Sequence, residues 1–224
     1  DNRANADMYL TRRNSGVTEF QKLKEEGFEA VREIGARNSD ILQSDFVIYV
    51  EGQSDVEVLE MIARSAIDDW HERNVTILPL GGTGNMRHCN PEKLKNINQN
   101  FAILLDSDKK SKEDDPREEI ASLRDRAQEA GVPCHVLQKR EIENYYHRGT
   151  VADVLNLPAE MLEIGDYQDV EKHVERKAAE HRVPDGPPRI DCYDKRDHGR
   201  RIVKQMYDRG HSIDEVENFL RKHV

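Results

Sequence analysis

Acidic side chains follow three apolar runs of the sequence, and their types and spacing suggest metal-dependent chemistry. Glu51 and Asp55 come after FVIYV, and Asp106 and Asp108 come after FAILL. Glu143 follows the apolar run at residues 132–138. If these runs are parallel strands, their carboxyl ends face one crevice, where five carboxylates would repel each other unless a cation lay between them. Hard divalent ions such as Mg²⁺ or Mn²⁺ prefer oxygen ligands. The pattern predicts a metal-dependent phosphoryl-transfer site, with a nuclease as the leading interpretation.

Each acidic motif also has a plainer interpretation. Side chains alternate along a strand, so Asp106 and Asp108 point the same way if the chain stays extended, but Asp and Ser also favour turns after strands. Asp55 falls in the first turn of a predicted helix, where the helix dipole alone favours an acid. Glu143 is the preferred acid of EIENYY, with Glu141 as its alternate because residues two apart share a face. Metal binding is favoured because the three motifs occur together.

Four short apolar runs, separated by helical patterns, predict the scaffold that carries these acids. Central strands of a parallel sheet are apolar throughout, and their alternation with helices implies right-handed crossovers. The predicted strands cover residues 46–50, 75–80, 101–105 and 132–138. The fold class is therefore α/β, with a central four-stranded parallel sheet flanked by helices.

The regions on either side of the sheet have no further strand signals. Residues 1–15 are polar and without a period, whereas residues 17–37 have a helical pattern. After about residue 150 the sequence predicts only helices, with hydrophobic residues at helical spacing. These helical patterns cover residues 166–182, 196–209 and 212–222. We therefore expect a C-terminal helical subdomain after the sheet.

Composition limits the classes of protein to which this chain could belong. Its 224 residues, 35% charged and 36% apolar, suit one sizeable domain with a smaller addition. No apolar run approaches the ~18 residues that a membrane-spanning helix needs. Three widely spaced cysteines argue for a reducing cytoplasm and against a disulfide framework. Because the sequence starts at Asp1 without a secretory signal, we expect a fragment of a longer cytoplasmic protein.

The charge distribution separates one basic segment from an acidic chain. The net charge of −10 argues against a non-specific nucleic-acid coat, although bound cations would offset the acidity of a metal site. Residues 189–209 carry seven Lys or Arg against four Asp, which fits either phosphate contacts or a solvated helix face. The glycines of LGGTGN lack the Lys of a Walker A loop, and no His or Cys spacing indicates zinc.

The combined motifs resemble a known family of nucleases. A Glu-Gly after the first strand, a DxD after the third and a βαβαβαβ order are similar to the Toprim domain of topoisomerases, primases and certain nucleases. More narrowly, SDILQSDFVIYVEGQSDVEVLE, LLDSD and EIENYY resemble the C-terminal half of OLD (overcoming lysogenisation defect) nucleases. The resemblance covers roughly residues 38–150 and implies a Toprim-like Rossmannoid fold.

By that resemblance, five carboxylates and one hydroxyl would hold two divalent ions, Mg²⁺ or Mn²⁺. These residues are Glu51, Asp55, Asp106, Ser107, Asp108 and Glu143. The family also uses a basic residue further along the chain, for which the candidates here are Lys195, Arg200 and Lys204. HGRRIVKQ departs from the Gly-Lys pairing expected at that place. In the family an ABC-type ATPase precedes the Toprim region. The resemblance leaves open whether a homodimer forms through that ATPase.

The resemblance also implies a domain plan and an activity. Residues 1–45 would be a linker or helix from the preceding ATPase, 46–150 the Toprim catalytic domain, and 151–224 a helical subdomain completing the site. The expected activity is a DNA endonuclease that hydrolyses phosphodiester bonds with two metal ions. A non-catalytic Toprim module that binds DNA or protein and a DxD-type phosphatase are the alternatives. DNA or RNA, nicking or double-strand cutting, and the identity of the metal all stay open.

Overall fold

The computed structural model describes residues 9–14, 17–22, 44–180 and 193–224, with side chains from residue 44 onward. At the N-terminal end, β1 (Tyr9–Asn14) pairs antiparallel with β2 (Val17–Lys22). The helix predicted for residues 17–37 is therefore wrong where it can be checked, and residues 23–37 lie outside the described residues. The lack of a period in residues 1–15 also concealed a strand.

The hairpin has a local cause that the helical interpretation did not take into account. Val17, Thr18 and Phe20 are β-branched or aromatic residues that favour strands. Only the dipeptide Ser15-Gly16 separates the two strands in the sequence, and a two-residue spacing that contains Gly is a hairpin signal.

The central sheet has four parallel strands, which confirms the predicted fold class. The strands are β3 (Phe46–Val50), β4 (Val75–Pro79), β5 (Phe101–Leu105) and β6 (Cys134–Val136). Their order in space is β4-β3-β5-β6, so the two strands followed by the VEG and DxD motifs are neighbours at the centre. In the register, Val47 lies opposite Phe101 and Ile103 opposite Cys134.

Helices connect the strands and follow them. Between the strands lie α1 (Gln53–Ala66), α2 (Thr83–Met86), α3 (Pro91–Lys95) and α4 (Glu118–Glu129). After β6 come α5 (Arg148–Leu155), α6 (Val170–Glu180), α7 (Asp197–Asp208) and α8 (Asp214–His223). Short 3₁₀ turns cover Trp70–Glu72, Ile142–Tyr145 and Ala159–Met161. The last three α-helices confirm the C-terminal helical predictions.

Two hydrophobic clusters cover the two faces of the sheet. Alternate side chains of β3 go to opposite clusters, with Ile48 in one and Val47 in the other. The Val47 cluster is completed by α3 and α4, whereas the Ile48 cluster is completed by α1 and by the C-terminal helices α5, α7 and α8. Because both faces are buried, the central strands had to be apolar throughout. The C-terminal helices thus pack on the same sheet that carries the acidic motifs.

Helix α7 approaches α1 closely at Gly199. A Cβ atom added there would lie 2.9 Å from Cγ2 of Val58 and 3.1 Å from the hydroxyl oxygen of Tyr146. Both neighbours are buried, so neither can move away freely. We expect Gly199→Ala to lower the free energy of unfolding by about 1–3 kcal/mol through overpacking, as measured by urea denaturation.

The matched control is Gly84→Ala in α2, where an added Cβ has no heavy atom within 4 Å. Without a clash, Gly→Ala in a helix is neutral or stabilising by up to about 1 kcal/mol. Equal effects of the two substitutions would show that α7 does not depend on the close approach at Gly199.

Among the described residues, none of the helices has the length and the apolar composition that crossing a membrane requires.

Candidate metal centre

The loops after β5 and β6 are tied together directly beyond the sheet. The backbone N–H groups of Ser107 and Asp108 both donate to the carbonyl oxygen of Arg140, at 2.9 and 3.0 Å. The hydroxyl of Ser107, which is fully buried, donates to the carbonyl oxygen of Lys139 at 2.7 Å. Ser107 therefore joins the two loops, and this contact brings the DxD motif beside EIENYY.

Asp106, Glu141 and Glu143 form a compact group of carboxylates in this crevice. One oxygen from each of the three lies within 4.8 Å of the others. The backbone N–H of Ile142 donates to Oδ1 of Asp106 at 3.1 Å, which fixes the orientation of that carboxylate. Both glutamates are buried, and Asp106 is partly buried. Three oxygen ligands at this separation are the kind of donor set that a hard divalent cation prefers.

Glu141 and Glu143 are held in place differently. One oxygen of Glu141 accepts from the backbone N–H of Val170 at 3.1 Å, at the start of α6, and the other accepts from Nζ of Lys195 at 2.9 Å. Oε1 of Glu143 lies 3.2 Å from the same Nζ, but Oε2 is buried and has no hydrogen-bond partner within residues 44–180 and 193–224. A buried carboxylate oxygen without a donor is costly, and a cation would satisfy it. The donor set therefore fits a metal.

The 3₁₀ turn that carries Glu143 is fixed by Asn144. Its side-chain nitrogen donates to the carbonyl oxygens of Gly165 and Gln168 at 2.6 and 2.9 Å. Its side-chain oxygen accepts from the backbone N–H of Glu141 at 2.9 Å. The fourth residue of EIENYY thus holds both glutamates of the motif in one orientation, a role that the sequence analysis did not assign.

Asp55 and Glu51 lie on the β3 side of the crevice. The Asp55 carboxylate accepts from the backbone N–H of Gly52 at 2.8 Å and from the Ser54 hydroxyl at 3.3 Å. Helix α1 begins at Gln53, and the Asp55 side chain caps its first turn by accepting the N–H of Gly52. Both Asp55 and Glu51 are close enough to Asp106 to raise its pKa by their negative charge.

Asp108 does not extend the strand as the DxD spacing assumed. Its φ of 55° lies in the left-handed region, so the chain turns after Ser107. The Asp108 carboxylate pairs with Arg117 at 2.8 Å, in the segment before α4. The hydrogen bond to Asp108 raises the pKa of Arg117, and the negative charge of Glu51 adds to this effect.

The three basic candidates have different positions. Lys195, just before α7, is the cation between Glu141 and Glu143. Arg200 pairs with Glu57 of α1 at 3.3 Å, and Lys204 pairs with Asp208 of its own helix at 2.7 Å. The structure therefore brings Lys195 to the acidic group, while Arg200 and Lys204 are paired elsewhere on exposed surface.

The pKa values of the centre are raised because many acidic side chains lie together in a buried place. Burial raises the pKa of Asp106 well above its usual range, and the charges of Asp55, Glu143, Glu141 and Glu51 raise it further. Burial also raises the pKa of Asp55, and it raises that of Glu143 to about 7 even though Lys195 opposes the shift. For Lys195 the acids outweigh burial, so its pKa rises and it stays charged. Without a further cation the centre retains protons.

This electrostatic balance predicts how stability without metal depends on pH. The folded protein holds a proton on Glu143 up to about pH 7, whereas the unfolded chain loses it near 4.5. The stabilisation is complete below the unfolded value and is lost as the pH rises through the folded one. We measure the free energy of unfolding by urea denaturation in EDTA. Between about pH 5 and pH 8, we expect that of wild type to fall by about 2 kcal/mol relative to that of Glu143→Gln. A pH-independent difference would contradict the raised pKa.

Two tyrosines border the acidic group and were not assigned to it from sequence. The hydroxyls of Tyr146 and Tyr193 are buried, and neither has a hydrogen-bond partner among the residues that the structure describes. Burial raises the pKa of both, and the neighbouring charge of Glu143 adds to the effect. The ring of Tyr146 belongs to the hydrophobic core. Nothing in the sequence near Tyr193 indicated that it lies beside the acids.

Comparison with known proteins identifies the region that carries two of the motifs. Residues 42–108 match the family described as "Overcoming lysogenization defect protein-like, TOPRIM domain". The chain contains an OLD-like Toprim domain. The matched residues include the VEG and DxD motifs, and the four-stranded parallel sheet is the Toprim-like architecture that the resemblance implied.

Solved structures of OLD proteins are among those similar to this chain. The C-terminal region of the Burkholderia pseudomallei OLD protein has 11% identity and a TM-score of 0.47, covering 80% of this chain and 98% of that one. The C-terminal region of the Xanthomonas campestris pv. campestris OLD protein has 15% identity and a TM-score of 0.38, covering 81% and 98%. No curated protein sequence matches this chain.

Proposed function

We propose that this OLD-like Toprim chain is a metal-dependent DNA endonuclease that hydrolyses phosphodiester bonds in the acidic crevice. The observation that carries the proposal is the group of Asp106, Glu141 and Glu143, in which a buried oxygen of Glu143 has no donor in the described part of the chain. A protein that only binds partners has no use for buried carboxylates that raise each other's pKa. The match of residues 42–108 to the OLD-like Toprim family supports the same activity.

Two divalent ions, Mg²⁺ or Mn²⁺, would supply an activated water and positive charge for the departing oxygen. We propose Asp55, Asp106 and Glu143 as ligands in the deep part of the crevice, with Glu141 as an addition to the set. Glu51 and Asp108 would complete the ligands on the Arg117 side, where both carboxylates already face a cation. Ser107 supports this arrangement through its bonds to the neighbouring loop.

Lys195 is our proposed basic residue of the reaction. It is the one candidate of three that contacts the acidic group, and its charge is secured by Glu141 and Glu143. A positive side chain at this place would offset charge on the phosphate during hydrolysis. For Arg200 and Lys204, which lie on the exposed side of α7, we propose contacts with the DNA backbone outside the reacting centre.

The domain plan is part of the proposal. Residues 46–150 would supply the acids, and residues 151–224 would complete the site, because Lys195 reaches it from the C-terminal helices. An ABC-type ATPase earlier in the same protein would choose or prepare the DNA. Residues 1–45 would then connect that ATPase to the nuclease.

The test is cleavage of supercoiled plasmid with Mg²⁺ or Mn²⁺, compared with EDTA, together with calorimetric titration of each ion. Metal-dependent nicking or linearisation would support the proposal. Metal binding without cleavage would show that the activity needs the ATPase. A protein that neither binds the ions nor cuts DNA would be the non-catalytic binding module, and the nuclease proposal would be abandoned.

A further inference from the structure

A pocket of about 570 Å³ lies beside the acidic centre and has no part in the chemistry proposed above. It is formed by the residues that follow EIENYY, by the loop around Glu163 and by the C-terminal end of α7. Its lining combines imidazole and phenol rings with a thioether, a guanidinium group and a hydroxyl. The lining includes Tyr146, His147, Arg148, Glu163, His211 and Ser212. The volume falls within the range of about 300–1,000 Å³ that is usual for small-ligand sites.

The rings of His147 and His211 stack within this pocket. Their centroids are 3.9 Å apart and their planes differ by 16°. Burial lowers the pKa of His147, and the positive charges of Arg148 and Arg209 add to this effect. Two ring nitrogens on parallel stacked planes are poorly placed to bind one metal ion together. The stacked pair instead offers a flat aromatic platform, on which an unpaired nucleobase can stack.

The charged groups around the platform suit a nucleotide. Arg148 makes no ion pair with any residue in the described part of the chain, and its side chain is exposed. Arg209 is paired with Asp153 at 2.6 Å, and the Ser212 hydroxyl is bonded to Asp214 at 2.5 Å. Arg148 is thus the cation available for a phosphate. Glu163, which is exposed on the same pocket, can accept hydrogen bonds from the amino groups of a base.

The position of the pocket connects it to the acidic centre. Tyr146 lines the pocket, and its hydroxyl is near enough to Glu143 and Asp106 to feel their charge. His147 is the fourth residue after Glu143 in the chain, so their Cα atoms are at most about 14 Å apart. A nucleotide seated on the imidazoles would therefore belong to a strand whose reacting phosphate is only a few nucleotides away.

We propose that this pocket, defined by His147, Arg148, Glu163 and His211, binds one unpaired nucleotide of a DNA single strand. The base stacks on the imidazole pair, and its phosphate contacts Arg148. This inference rests on the proposed function for the nature of the ligand. It deepens that function, because it makes a locally unpaired strand the substrate of the nuclease.

The experiment measures binding of a labelled oligodeoxyadenylate by fluorescence anisotropy in EDTA, where no cleavage can occur. Alanine at a residue that stacks a base typically weakens single-strand binding by about 5- to 100-fold. We expect losses of that size for His147→Ala and His211→Ala, and a similar loss for wild type when the oligonucleotide contains abasic sites. His71→Ala, at an exposed histidine near the opposite edge of the sheet, should have no effect. Thermal melting confirms that each variant is folded.

His147→Phe distinguishes stacking from the other roles of a histidine. A phenyl ring keeps the platform but cannot bind a metal or carry a charge, so this variant should retain the affinity of wild type. Loss of binding in His147→Phe equal to that in His147→Ala would overturn the proposal. Unchanged affinity in both alanine variants, or equal affinity for abasic and normal oligonucleotides, would overturn it as well.

The two proposals fail in different ways. If the chain is not a nuclease, plasmid cleavage is absent while the oligonucleotide still binds and the histidine variants still weaken it. If the pocket does not hold a nucleotide, the histidine variants bind normally, whether or not the plasmid is cut.

Discussion

Asp106→Asn should abolish metal-dependent cleavage and, in the absence of metal, should make the protein more stable rather than less. The Asn side-chain oxygen can still accept from the backbone N–H of Ile142, so the loop keeps its hydrogen bond. The substitution removes an ionisable group from a place where burial and four neighbouring acids oppose its ionisation. We expect cleavage to fall by at least about 10²–10³-fold, as for loss of one preorganised charge-stabilising group. Plasmid cleavage and thermal melting in EDTA are the two measurements.

The opposite signs of these two effects separate a functional acid from a structural one. A residue retained for stability lowers the melting temperature when it is changed, whereas a metal ligand that is repelled in the empty centre raises it. Mg²⁺ should stabilise wild type more than Asp106→Asn, because the variant has lost a ligand.

The control is Asp114→Asn. Asp114 lies on the loop after the same strand, and its carboxylate also accepts a backbone N–H, from Lys110 at 3.1 Å, but it is exposed. This variant should cleave like wild type and melt at nearly the same temperature. Normal cleavage by Asp106→Asn would show that the acidic group is not the reacting centre.

The scaffold could be predicted from sequence because buried parallel strands leave a strong local signal. FVIYV and FAILL are apolar throughout, and both are central strands with side chains in two hydrophobic clusters. Because the ends of parallel strands face one crevice, the positions of the VEG and DxD motifs in the sequence were enough to predict that they lie together. The hairpin at residues 9–22 was missed because the helical pattern was extended through residues that favour strands.

The detailed arrangement of the centre depended on backbone conformations that the sequence does not specify. Asp108 was expected beside Asp106, but its positive φ turns the chain, and its carboxylate pairs with Arg117. Glu141 was the alternate to Glu143, and the 3₁₀ turn held by Asn144 brings both into the group. A choice between two glutamates in one motif cannot be made from strand alternation when the motif is not a strand.

Helical periodicity in the sequence was enough to set two of the three basic candidates apart from the buried face of α7. The buried stripe of α7 contains Gly199, Ile202, Val203 and Met206, at the spacing of one helix face. Arg200 and Lys204 fall outside that stripe, so helical periodicity alone places them toward solvent. The contact of Lys195 with acids more than fifty residues earlier in the chain depends on how α7 packs against α1, which no local pattern shows.

Lys195→Met should destabilise the protein strongly near pH 8 and much less near pH 5. The ammonium group is the hydrogen-bonding partner of two buried glutamates, Glu141 and Glu143. Removing one partner of a buried ion pair typically costs about 3–5 kcal/mol, because the remaining charge is left unpaired. Below the pKa of Glu143, which is about 7, that carboxyl is protonated and the cost falls. Urea denaturation in EDTA at the two pH values measures the difference.

Lys204→Met is the matched control, since it makes the same change at an exposed position within α7, nine residues further along the chain. Lys204 pairs with Asp208 across one helical turn, with its side chain 64% exposed, and such surface pairs contribute at most about 0.5 kcal/mol. If the free energy of unfolding fell by the same small amount in both variants at both pH values, Lys195 would not be neutralising the acidic group. A large, pH-dependent loss in Lys195→Met alone would instead show that this lysine supplies the positive charge without which the carboxylates of the centre cannot remain ionised together.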